Sequence, residues 1–99
     1  MRESVIEKYL VKQVRSAGGD AFKWSSPSTR GVPDRLCIFP KGVVVAVELK
    51  ALGRGDSLTA LQKHQINRLR LFGLRVEVID SKEGVDLLIG EVMSNETGR

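Results

Sequence analysis

Apolar residues recur at helical spacing from Ser4 to Ala17, at Val5, Ile6, Tyr9, Leu10, Val14 and Ala17, and predict a helix there. Ser4 with Glu7 three residues on reads as a capping box, S-x-x-E, which makes Ser4 the expected N-cap. Gly18-Gly19 is the expected stop. On a wheel of ~100° per residue, Glu7 lies at the edge of the apolar arc and Gln13 inside it, while Lys8, Lys12 and Arg15 form the solvent face. Glu7 can therefore cap the helix or reach inward, and the residues alone favour the cap.

The pattern then changes. "AFKW" (Ala21–Trp24) reads as a short strand, and "SSPSTRGVP" as a turn-rich loop with two prolines and a glycine. "RLCIF" (Arg35–Phe39) is a strand, "PKG" a tight turn, and "VVVAVELK" (Val43–Lys50) a β-branched run of the kind buried on both faces of a sheet. "ALGRGDS" is a glycine-rich loop expected to be mobile. Thr59 N-caps a helix that Gly73 stops. "RVEVID" is another strand, and Ser81 opens a last helix, "SKEGVDLLIGEV". The order is α-β-β-β-α-β-α, an α/β fold with a mixed sheet flanked by helices. The strand–helix–strand unit from Val43 to Asp80 should be a right-handed crossover with parallel strands. One domain over residues 1–92 is expected, with a polar, frayed tail over 93–99.

Composition sharpens this picture in three places. The 99 residues are 41% hydrophobic and 28% charged, enough for one modest core, and only 5% are aromatic, so that core is aliphatic. No apolar run nears the ~20 residues that span a membrane, and the charged N-terminus lacks a signal-peptide apolar segment, so a cytoplasmic protein is expected. Cys37 is the only cysteine and His64 the only histidine, which excludes an internal disulfide and the usual Cys/His zinc site. A Cys–His nucleophile is a poor reading beside that of a small core residue in "LCIF".

The formal net charge is +4. This suits a polyanionic partner or simply a solubilising surface. With few aromatics among the basic residues, duplex-backbone contact fits better than base stacking. Lys23, Arg30, Arg54, Lys63 and His64 are the candidate contacts.

Three charges interrupt the apolar hairpin. Centring its turn on Lys41 pairs residues whose numbers sum to 82, which sets Asp34 opposite Glu48. Opposed residues share a sheet face, and Lys50, two residues past Glu48, points the same way. Two carboxylates and an ammonium thus converge at the end of a buried hairpin, provided no bulge shifts the register. Like charges brought together and buried are unfavourable. Lys50 can offset them as a structural ion pair. A hard divalent cation does so better, since Mg²⁺ takes carboxylate oxygens and keeps waters. A cation so held, beside a lysine, suits metal-assisted phosphodiester hydrolysis.

The ordered set "RGVPD" (Arg30–Asp34), "VELK" (Val47–Lys50), "LTALQ" (Leu58–Gln62), "FGLRVEVI" (Phe72–Ile79) and the S-x-E helix start at Ser81 resembles the VRR-NUC family of the PD-(D/E)xK nuclease superfamily, over nearly the whole chain. The resemblance implies a restriction-endonuclease-like core. It implies Asp34 and Glu48 as ligands of Mg²⁺, with Mn²⁺ able to substitute, the Leu49 carbonyl as a backbone ligand, and Lys50 assisting the water nucleophile. It moves Glu7 from cap to site as a further acidic ligand, and marks Gln62, which the helical wheel places inward, as a site residue. Gln65 departs from the family, which often has an aromatic there.

Stand-alone members of this length resemble phage or bacterial Holliday-junction resolvases. The implied protein is a homodimeric endonuclease for branched double-stranded DNA in a bacterial or phage-infected cell. A flap or nicking nuclease of broader specificity, and a non-catalytic DNA-binding module, are the alternatives.

Overall fold

Ile6, Leu10 and Val14, one turn apart, form a fully buried stripe, and this stripe is what seats the first helix, α1 (Glu3–Ser16), on the sheet. A computed structural model describes residues 1–97 of the chain. The helix begins two residues earlier than its capping box predicted. Arg2 is the N-cap, in extended conformation and without a side-chain cap bond, so the Ser4–Glu7 box does not form. The reason lies outside the helix: Glu7 is taken by Arg35, at 2.8 Å. At the other end Gly19 N–H donates to Val14 O (3.1 Å) and Gly18 N–H to Arg15 O (3.0 Å). This is a Schellman ending, with Gly18 at φ 91°. A Cβ on Gly19 would lie 2.1 Å from Ile38 O, so the turn can pack on the neighbouring strand only as glycine.

Four strands follow in one sheet, in chain order across it: β1 (Asp20–Lys23), β2 (Arg35–Ile38), β3 (Val44–Leu49) and β4 (Arg75–Ile79). The first two pairings are antiparallel and β3–β4 is parallel, so the sheet is mixed as expected. The β2–β3 register runs Arg35↔Val47 to Ile38↔Val44, the register with sum 82. Its turn, Pro40–Gly42, is one 3₁₀ turn with Lys41 at φ 66°, closed by Phe39 N–H to Val43 O at 2.8 Å.

Side chains alternate between two cores. Cys37, Val45, Val47, Leu49 and Ile79 face α1 and the last helix, α3 (Lys82–Thr97), with its Val85, Leu88 and Val92. Leu36, Ala46, Val76 and Val78 face the remaining helix, α2 (Ala60–Leu71), through Ile66 and Leu69. Every residue from Val45 to Leu49 is buried, as a strand covered on both faces requires. The helix α3 continues through Thr97, so residues 93–97 of the anticipated tail are helical, and residues 98 and 99 of that tail lie outside the described residues.

Candidate active site

The site forms where β3 ends. Pro33 is fully buried and delivers the chain to Asp34, just beyond the last β2–β3 pair, so Asp34 stands opposite Glu48. Its Oδ2 accepts the Leu49 N–H at 2.8 Å, and its carbonyl accepts the Trp24 N–H at 3.0 Å. The carboxylate is thereby held against the end of β3. Glu48 is 3% exposed, and its side chain lies on the α2 side of the sheet with Ala46. Lys50 follows on the same side, its N–H on Ile79 O at 3.0 Å, with Nζ 3.7 Å from Glu48 Oε2.

Gln62 locks this pair. Its Oε1 accepts from Lys50 Nζ (3.1 Å) and from the Thr59 N–H (2.9 Å). Two donors on Oε1 fix the amide's orientation, and Nε2 must then face Glu48 Oε2, to which it donates at 3.1 Å. The Thr59 hydroxyl in turn accepts the Gln62 N–H at 3.1 Å, completing a capping box at the start of α2. The side chain that caps the helix is thus the one that ties Lys50 to Glu48.

Burial foremost, and then the charge of Asp34, push the Glu48 carboxyl up to about 7 against the opposing pull of Lys50. Glu3, in the first turn of α1, is raised as well, chiefly by burial and next by Asp34, with Lys50 again opposing. Three carboxylates and one ammonium therefore act on one another here.

The structure brings together Asp34, Glu48, Lys50 and Gln62, with the Leu49 N–H on Asp34 Oδ2. It does not bring in Glu7 in the same way. Glu7 is bound by Arg35 Nε on the α1 side of the sheet, and Arg35 also donates to Ala21 O at 3.0 Å. Glu3 is the helix carboxylate coupled to the site, one turn before the residue singled out from sequence. The only signal was that Glu3 and Glu7 are four apart and share a helix face.

Of the basic residues, Arg35, Arg70 and Arg75 are consumed inside the fold. Arg70 donates twice to Val76 O, and Arg75 pairs with Glu77 and Glu91. Lys23, Arg30, Arg54, Lys63 and His64 are all exposed. Gln65, the departure noted from the resembled family, is buried on α2.

The donor set fits a hard divalent cation. Among the described residues Asp34 Oδ1 and Glu48 Oε1 accept no hydrogen bond, although Glu48 is buried. No three His, Cys, Asp or Glu side chains are grouped as a closed metal cage there. Two carboxylates with positions left for water, backbone oxygen and phosphate are what Mg²⁺ accepts, because it dehydrates reluctantly.

Comparison with known proteins points to a nuclease. No family model matches the chain. The protein p44 of Acyrthosiphon pisum secondary endosymbiont phage 1, provisionally named a nuclease, is 46% identical over 83 residues, which cover 84% of this chain and 87% of that protein. A solved structure described as a VRR_NUC domain is similar with a TM-score of 0.75 at 31% identity, covering 88% of this chain and 92% of that one.

Proposed function

The chain belongs to the VRR-NUC family of nucleases, and from that premise we propose that it is a Mg²⁺-dependent endonuclease selective for branched double-stranded DNA. The observation that carries the reading is the convergence of Asp34, Glu48 and Lys50, with Gln62 linking the last two. Asp34, Glu48 and the Leu49 carbonyl would hold the cation, with Glu3 bordering it from α1. Mn²⁺ is expected to substitute. When bound, the cation would offset the carboxylate charges and supply Lewis-acid stabilisation of the charge that develops on the phosphate.

The remaining work falls to the chain itself. Lys50, held by Gln62, orients the attacking water beside the phosphorus. The water oxygen bonds to phosphorus and gives up a proton to solvent, one P–O bond to the sugar breaks, and the leaving oxygen takes up a proton from solvent. Lys23, Arg30, Arg54, Lys63 and His64 supply backbone contacts, which position a duplex without reading its sequence. A substrate of fixed shape and free sequence, such as a four-way junction, suits that chemistry. A two-fold homodimer would set one site against each of two strands.

The test uses end-labelled DNAs: a four-way junction, a flap, a nicked duplex and an intact duplex, each with Mg²⁺ or with chelator. Paired, Mg²⁺-dependent cuts confined to the junction are expected. Cuts confined to flaps or nicks would move the function to a broader structure-specific nuclease. Tight binding with no cut anywhere would leave a DNA-binding module.

A further inference from the structure

The geometry points to Asp80 as a positioning residue for DNA binding, acting through the loop that carries Arg54; this rests on the DNA-nuclease reading above. The loop leaves β3 at Lys50 and returns to α2 at Thr59, beside the site at both ends. Glycine content suggested a loose connection, and the structure shows a tied one. Its base is closed by the Lys50 Nζ–Gln62 Oε1 bond at 3.1 Å. One flank is tied by Leu52 N–H to Met1 O at 3.2 Å. Its far side is clamped by Gly55 N–H donating to Asp80 Oδ2 at 2.8 Å.

Arg54 sits inside these ties. Its N–H donates to Ala51 O at 2.9 Å, and its carbonyl accepts from Ser57 N–H (3.0 Å) and Ser57 Oγ (2.7 Å). The backbone at Arg54 is thus fully engaged, while its side chain is exposed and makes no ion pair among the described residues. A cation on a fixed backbone loses less freedom on meeting a phosphate than one on a loose loop.

Asp80 follows Ile79, whose carbonyl accepts the Lys50 N–H, so the clamp reaches the loop from the strand that flanks the site. A Cβ at Gly55 would lie 2.9 Å from Asp80 Oδ2, so a side chain there must displace the carboxylate from its hydrogen-bonding position.

Charge alone and the clamp make opposite predictions. Removing an acid from a basic protein should tighten its grip on DNA. If Asp80 presents Arg54, removing it should weaken that grip. Binding of a fluorescently labelled four-way junction would be followed by anisotropy in chelator, across a salt series. Wild type, Asp80→Ala, Gly55→Ala, Arg54→Ala and the Asp80→Ala/Arg54→Ala double variant would be compared.

Arg54→Ala should weaken binding about three- to tenfold and lower the salt slope by about 1, the signature of one lost phosphate contact. Asp80→Ala and Gly55→Ala should do the same, and Asp80→Ala should add nothing in the Arg54→Ala background. Unchanged or tighter binding by Asp80→Ala overturns the inference. So does an equal loss in both backgrounds, which would mean general loosening. Should Asp80→Ala fail to fold, Gly55→Ala is read by the same criteria. A wild type that binds no DNA would instead sink the proposed function itself.

Discussion

Two sets of side chains leave the same strand, and they do opposite things. The odd residues of β3, Val45, Val47 and Leu49, are fully buried against α1 and α3. The even positions Ala46 and Glu48, with Lys50 just past the strand's end, begin as a small core under α2 and end as a buried carboxylate and a 14%-exposed ammonium. Neither face can shift register without moving the other, because adjacent residues point oppositely. The apolar face therefore fixes where the charged face presents its groups. A site built this way destabilises the fold locally, and the neighbouring residues hold it in place.

That contrast can be broken at single positions. Glu48→Gln should lower cleavage by about 10²-fold or more, the scale of losing one charge-stabilising group. In metal-free buffer the same change should stabilise the protein. The folded-state carboxyl sits near 7, above its ordinary 4.5. As pH rises between those values the unfolded chain gives up the proton first, so the wild type loses stability across that window and Glu48→Gln does not. Calorimetry at pH 5 and pH 8 checks this, with a gain of about 1–3 kcal/mol expected at the higher pH. Added Mg²⁺ should raise the wild-type melting temperature and leave that of Glu48→Gln nearly unmoved.

Val47→Ala tests the other face. It removes two methylene equivalents from a fully buried place and should cost about 2–3 kcal/mol, read from denaturant midpoints. The folded fraction should still cleave. Smaller again is the effect expected at Cys37. Burial foremost pushes its thiol up to about 12, so a thiol reagent should label it at pH 8 only after unfolding.

The hairpin was legible in the sequence because a tight turn and strict alternation fix which residues face each other. Asp34, Glu48 and Lys50 followed from counting. Thr59 was legible as an N-cap, and Gln62 as an inward-facing residue. Their joint role was not, because it needs α2 laid beside the end of β3 before the amide can reach both Lys50 and Glu48. The Ser4–Glu7 box failed for a related reason: Arg35 is 28 residues away in the chain, and local rules cannot see it outcompete a cap. The last helix outran its apolar pattern, since polar residues 94–97 continue it to Thr97.

On the proposed function, the charged face of β3 performs chemistry rather than holding the fold. Lys50→Ala tests that role most directly, because Lys50 touches both Gln62 and Glu48 yet lies outside the apolar core. Cleavage of the four-way junction in Mg²⁺, junction binding in chelator and the melting temperature would be measured on one preparation beside wild type. Cleavage should be lost, with melting close to wild type and binding weakened no further than in Arg54→Ala, since Lys50 also closes the base of the Arg54 loop. Cleavage at the wild-type rate, or loss of the fold together with cleavage, would contradict that role.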